Sequence, residues 1–212
     1  MKKSTEPLKI VFLDIDGVLN GNSNKIMAWV AFKSGSRVLY KLFSHFYPRY
    51  KEDLYSIHED KVARLAKIVH STNAKIVLIS SWRDRALKAF VSKDIREKYP
   101  NQEFTILYNL FKKYNLSIYD VVPHDQLGYR SSEIAMWLDK CKSPIYSFVV
   151  LDDEVNDEFI DRQIITCDYP DKPGYWDTLD GLRDKHVGPA IKLLNKKLDS
   201  KNKYTNILGG YI

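Results

Sequence analysis

Two acids stand two residues apart where an apolar run stops, at Leu8-Lys9-Ile10-Val11-Phe12-Leu13-Asp14-Ile15-Asp16-Gly17. On a strand, residues at i and i+2 share a face. Two ionised carboxylates roughly 6 Å apart would repel by about 3 kcal/mol at an effective dielectric near 20. A bound cation, or a proton on one of them, relieves that cost. Gly17 permits a sharp turn and a close approach of substrate to the backbone. A second acidic pair, Asp152-Asp153, follows another apolar run, Phe148 to Leu151, and Ser80-Ser81 closes a third, Lys75 to Ile79. Carboxylates and hydroxyls gathered in this way can supply a nucleophile, an acid–base group, hydrogen-bond donors and metal ligands.

Two other uses of these acids fail on spacing. A calcium loop beginning at Asp14 needs glycine at its sixth position and glutamate at its twelfth, where this chain has Leu19 and Lys25. A nucleoside-triphosphate motor needs a phosphate loop ending in Gly-Lys, and the chain contains no Gly-Lys pair.

Such residues act together only if the fold brings the ends of their runs to one place. The short, continuous apolar runs read as buried strands: residues 8 to 13, 75 to 79, 118 to 122, 148 to 151, and a fifth from Gln163 to Thr166. Between them lie helical patterns. One covers Glu59 to Val69, with Val62, Leu65, Ala66 and Val69 on one face and a break at Asn73. A mostly helical stretch runs from Asp84 to about Asn115 and breaks at Pro100. Another helix covers Ser131 to Cys141, with Ile134, Trp137 and Leu138 inward, and a closing helix covers Val187 to Leu198. Alternating strands and helices predict an α/β fold: a Rossmann-like parallel sheet with helices on both faces. Ligands of such sheets bind beyond the carboxyl ends of the strands, where Asp14, Ser80 and Asp152 would meet. Residues 21–57 do not fit the alternation. They read as a small helical insertion after the first strand, leaving residues 1–20 and 58–212 as the core.

The chain of 212 residues is 44% hydrophobic and 28% charged, an ordinary globular composition. No apolar run approaches the roughly 18 residues that cross a bilayer, and no signal-peptide pattern opens the sequence. Two cysteines, Cys141 and Cys167, form neither a metal spacing nor a disulfide framework, so the cytoplasm is the expected compartment. The five histidines form no ligand spacing. The net charge of +6 favours anionic partners. In the insertion, Trp29, Phe32, Tyr40 and Phe43 alternate with Lys33, Arg37 and Lys41, a mixture that can stack on bases or form a small core.

The run Phe12-Leu13-Asp14-Ile15-Asp16-Gly17-Val18-Leu19-Asn20 resembles the first motif of the haloacid dehalogenase (HAD) superfamily of phosphatases. Residues 76 to 80 resemble its second motif, Arg130 its basic third and Val149 to Asp153 its acidic fourth. Ser80-Ser81-Trp82-Arg83, the helix Arg-x-x-Glu-Ile-x-x-Trp-Leu from Arg130, and Gly181-Leu182 are similar to the HAD domains of Swiss-Army-knife RNA-repair proteins. One departure is that the superfamily's usual third-motif residue is lysine. Lys140 and Lys142 are alternatives to Arg130, but Arg130 opens its helix, near the sheet edge.

The resemblance implies a Mg²⁺-dependent phosphomonoester hydrolase. Asp14 would be the nucleophile and Asp16 the acid–base residue. Ser80, or Ser81, and Arg130 would hold the phosphoryl group. Asp14, Asp16 through its backbone carbonyl, Asp152 and Asp153 would hold the metal. It also implies that the insertion acts as a cap. The expected partner is a phosphorylated substrate, a nucleotide or a nucleic-acid end, with no membrane. The alternatives are phosphoryl transfer to another acceptor, and a catalytically silent module that binds phosphate or nucleic acid. Asn20 could bond the site loop, Asp157 and Asp161 could approach the metal, and Trp82 and Arg83 could shape the leaving-group side or serve as a buried Trp and a surface salt bridge.

Overall fold

The computed structural model describes residues 6–20, 57–125, 129–166 and 181–199. Five strands form one parallel sheet: β1 (Leu8–Leu13), β2 (Lys75–Leu78), β3 (Ile118–Val121), β4 (Ile145–Asp152) and β5 (Gln163–Ile165), in the order β3-β2-β1-β4-β5. The chain runs outward from β1 through β2 to β3, then crosses back to place β4 on the other side of β1. The crevice between β1 and β4 is therefore the point where the strand order reverses, the place where open α/β sheets bind ligands.

Register brings the strand ends level. Leu13 pairs with Leu78 on one side and with Leu151 on the other. The Asp14 N–H then donates to the Leu151 carbonyl at 2.9 Å, and the Ile79 N–H to the Leu13 carbonyl at 3.0 Å. Asp14 thus stands between Ile79 and Asp152, at the centre of the sheet's upper edge.

Alternation along the strands divides the core into two layers. Val11 and Leu13 face one side, with Val62, Leu65 and Ala66 of α1 (Glu59–Thr72) and Ala86 of α2 (Arg83–Val91). After α2 come α3 (Lys93–Lys98) and α4 (Glu103–Lys113), and α4 adds Leu107 and Phe111 to the same side. Ile10 and Phe12 face the other side, with Ile134, Trp137 and Leu138 of α5 (Arg130–Lys140) and Phe159 of a 3₁₀ turn at Asp157–Arg162. The closing helix α6 (Asp184–Asn195) adds Val187, Ala190 and Leu194 to the first layer. Helices therefore cover both faces, as the strand and helix patterns predict.

Local chemistry sets the helix ends. Asn73 adopts φ 54°, the left-handed conformation that stops α1, and its N–H bonds the Val69 carbonyl. The predicted closing helix starts three residues late. Its first turn, Asp184-Lys185-His186, carries no apolar periodicity, and its start is marked by the Arg183 N–H donating to His186 Nδ1 at 3.1 Å. Likewise α5 begins at Arg130 itself. All but the last residue of the predicted insertion at 21–57 lies outside the described residues. Its flanks meet, because Asn20 and Ile57 form an antiparallel bridge. No described helix is long and apolar enough to cross a membrane.

Phe12 is fully buried and meets Trp137 and Phe148 edge-on, with ring centroids 5.4 and 5.6 Å away. Phe12→Ala leaves a ring-sized void beneath the site and should cost about 3–5 kcal/mol of stability, read from denaturant melts.

Candidate active site

β1 stops at Leu13, so Asp14 leaves the sheet just as its backbone hydrogen bond to Leu151 is made. The two acids of the first motif do not share a strand face. Asp16 lies in a turn in which the N–H groups of Val18, Leu19 and Asn20 all donate to the Ile15 carbonyl. That turn separates the carboxylates. Asp14 points inward and is buried, whereas Asp16 is half-buried and accepts a 2.6 Å hydrogen bond from Asn20 Nδ2. The Asn20 side-chain oxygen in turn accepts from the Gly17 N–H at 2.8 Å. Asn20 therefore bonds the site loop twice.

Asp14, Asp152 and Asp153 form one buried group, with an oxygen of each within 4.8 Å of the others. The Asp16 carboxylate is not a member of this group. Arg130 reaches in from the first turn of α5, with Nη1 3.1 Å from Asp14 Oδ1 and Nε 3.6 Å from Asp152 Oδ2. The same Nη1 also donates to the Ile79 carbonyl at 3.0 Å. Lys140, the last residue of α5, and Lys142 beyond it lie at the other end of that helix. Ser80 is fully buried, and its Oγ accepts from the Trp82 N–H at 3.3 Å, while Ser81 is exposed.

Three acids meet one guanidinium here, and burial magnifies the imbalance. Burial pushes Asp152 up to about 7; Arg130 opposes that shift and Asp14 adds to it. Burial, then Asp14 and Asp152, pushes Asp153 up to about 8. Burial alone would lower the Arg130 pKa, but the charges of Asp14 and Asp152 outweigh it and the net shift is upward. The donor set is all carboxylate oxygen, which suits a hard divalent cation and not a soft one. The residues therefore fit a divalent metal, with Asp14, Asp152 and Asp153 as its side-chain ligands.

Several supports were invisible as chemistry in the sequence. Thr166, read only as a strand residue, donates through Oγ1 to the Gly17 carbonyl at 2.8 Å. Asn156 Nδ2 donates to Asp152 Oδ2 at 3.2 Å, and the Glu154 N–H donates to Asp152 Oδ1 at 3.1 Å. Gly17 has φ +69°, and a Cβ there would lie 2.2 Å from the Asp153 Cγ. The Leu182 N–H holds the Val18 carbonyl at 2.8 Å, so Gly181-Leu182 braces the same loop. Arg83 does not form a surface salt bridge; it pairs with Glu133 in the interior. Asp161 lies on the 3₁₀ turn after β4, outside the acidic group.

A family profile described as the HAD domain in Swiss Army Knife RNA repair proteins matches residues 10–171, about three quarters of the chain. None of the curated proteins and none of the solved structures matches the chain.

The raised acids make stability depend on metal and pH together. A carboxyl whose folded pKa is raised keeps a proton that the unfolded chain has already released. Stability in chelator should therefore fall as pH climbs from the ordinary 3.8 through about 8. A cation that replaces those protons should then stabilise more at high pH. Melting temperatures with Mg²⁺ and with chelator, taken at about pH 6 and about pH 9, should diverge as pH rises. A constant gap would mean that the three acids do not share a metal.

Proposed function

The chain belongs to this family of HAD domains, and we propose that it is a Mg²⁺-dependent phosphomonoester hydrolase that works through an aspartyl-phosphate on Asp14. The observation that carries this reading is the placement of Asp14 within a buried acidic group, beside one arginine, at the sheet's switch point.

Asp14 and Asp152, with Asp153, would hold the cation, and the Asp16 backbone carbonyl would complete the protein's share. Bound there, Mg²⁺ masks the repulsion between an anionic nucleophile and an anionic phosphoryl group. A carboxylate oxygen of Asp14 attacks phosphorus in line, forming the O–P bond as the ester oxygen departs. Asp16 gives its proton to that departing oxygen. It is half-buried rather than enclosed and sits apart from the acidic group, as a residue serving a leaving group outside the metal site must. Its hydrogen bond from Asn20 fixes its direction.

The Asp16 carboxylate then takes a proton from water, whose oxygen attacks phosphorus and releases phosphate and free Asp14. Arg130 carries two functions. Without substrate it neutralises part of the acidic cluster, and with substrate its guanidinium binds phosphoryl oxygens through its planar fork. Ser80 accepts from the Trp82 N–H, which leaves its own hydroxyl proton to donate to a phosphoryl oxygen. The substrate is a nucleotide or the phosphorylated end of a nucleic acid, whose hydroxyl departs, a reading supported by the family's description and the net charge of +6.

Asp14→Asn should abolish Mg²⁺-dependent release of phosphate while the fold is kept. Asp16→Asn should cost about 10²–10⁴-fold with a poor leaving group. With a very good leaving group the first step needs little acid help, so the Asp16→Asn protein should accumulate phosphoenzyme, trapped by acid quench. Full turnover by Asp14→Asn, or no trapped species with Asp16→Asn, would remove these roles.

A 3′- or 5′-phosphorylated oligonucleotide should exceed the matching mononucleotide in kcat/KM. Its binding should also weaken more steeply with salt, by roughly −0.7 in log–log slope per neutralised phosphate of a single strand. A preference for the mononucleotide at low salt would point to a metabolite instead.

A further inference from the structure

Arg83 and Glu133 form a buried ion pair for which the mechanism above has no use. Arg83 Nη1 donates to Glu133 Oε2 at 2.8 Å and Nη2 to Oε1 at 2.6 Å, with side chains only 6% and 7% exposed. The pair joins α2 to α5, whose residues stand 50 apart in the chain.

We infer that Arg83 and Glu133 are positioning residues, a clamp that sets Ser80 and Arg130, the two phosphate-binding residues, at a fixed distance from one another. This rests on the phosphatase reading given above. The spacing supports it on both sides. Arg83 lies three residues after Ser80, and its N–H donates to the Ser80 carbonyl at 3.1 Å. Glu133 lies three residues after Arg130 on α5, one helical turn along the same face. Each half of the clamp is therefore one turn from the residue that it serves.

The two arginines also converge. Arg130 Nη1 and Arg83 Nη1 both donate to the Ile79 carbonyl, at 3.0 and 3.4 Å. Ile79 precedes Ser80, so the same peptide is held by the phosphate-binding arginine and by the clamp. Glu133 reaches further, because its Oε1 also accepts from the Asp125 N–H at 3.2 Å and so holds the backbone there.

Arg83 does not itself take the phosphoryl group. Its two Nη atoms are spent on Glu133, Ile79 and His124, and its Nε on His124 at 3.4 Å. A bidentate arginine–carboxylate pair fixes direction as well as distance, and in the interior both charges must remain paired. No such rigidity is needed to hold a metal bound by β1 and β4. It is needed where two ligands of one phosphoryl group come from β2 and α5, elements that the sheet alone does not tie together.

The test compares Glu133→Ala and Glu133→Gln with the unaltered protein, using a small phosphate ester and inorganic phosphate as a competitive inhibitor. Glutamine keeps the size of the side chain and one acceptor for Arg83 but removes the charge, so it is the milder variant, and inhibition is read below each variant's melting temperature, on folded protein. Glu133→Ala should lose about 10²-fold in kcat/KM, the scale of a misplacement of about 1 Å. Glu133→Gln should lose less. In both, phosphate inhibition should weaken by a larger factor than the Mg²⁺ concentration for half-maximal activity shifts. A pair with only a structural role would lower the melting temperature and leave phosphate inhibition of the folded protein intact; that result in Glu133→Gln overturns the clamp. An unaltered protein that neither hydrolyses the ester nor binds phosphate overturns the phosphatase reading itself, and the unaltered arm alone reveals it.

Discussion

Three buried carboxylates share one guanidinium, and much of this site follows from keeping that imbalance tolerable. Asp14, Asp152 and Asp153 are at most 8% exposed, so water screens them weakly. Protein groups do part of that work. The Glu154 N–H and the Asn156 side chain donate to Asp152, and Arg130 lies against both Asp14 and Asp152. What remains is expressed as protons held far above the ordinary carboxylate range. Acids that burial, and then one another's charge, keep protonated near neutral pH are prepared for a cation.

The same crowding dictates the backbone beside it. Asp153 lies where a side chain at residue 17 would be, so only glycine fits there. The loop made possible by that glycine is short, and it is held from three directions. Asn20 bonds it from within, Thr166 from the end of β5, and Leu182 from the segment before α6. Asp16 rides on this loop, outside the acidic group. The turn thereby separates two carboxylates that stand two apart in sequence, one buried with the other acids and one half-buried outside that group.

Arginine at position 130 suits this geometry in a way that lysine would not. Its guanidinium touches Asp14, Asp152 and the Ile79 carbonyl at once, which a single ammonium on a flexible stem could not do with the same fixed directions. It links β2, β1 and β4 across the crevice, and the pair behind it, Arg83 with Glu133, ties α5 back to α2. The basic residue is thus part of a connected set of charges and not an isolated anchor.

The alternation of apolar runs and helical patterns determined the parallel sheet and its helical layers, because burial on both faces demands unbroken apolar strands. The motif residues Asp14, Asp152 and Arg130 were legible for the same reason: each interrupts or follows a periodic run, and only a strand end or a helix start can place a charge there. Sequence also marked Asn73 as the stop of α1. It misjudged the start of α6, whose polar first turn carries no periodicity. Only the tertiary structure decided which acids form one buried group. The i, i+2 rule for Asp14 and Asp16 applies to a strand, and β1 ends before it can act. Likewise Thr166 and Asn156 are ordinary polar residues in a linear reading, and Glu133 is only one position of a helix pattern. Their roles arise from contacts across long stretches of chain, 149 residues in the case of Thr166 and Gly17, and no local pattern encodes a contact of that kind.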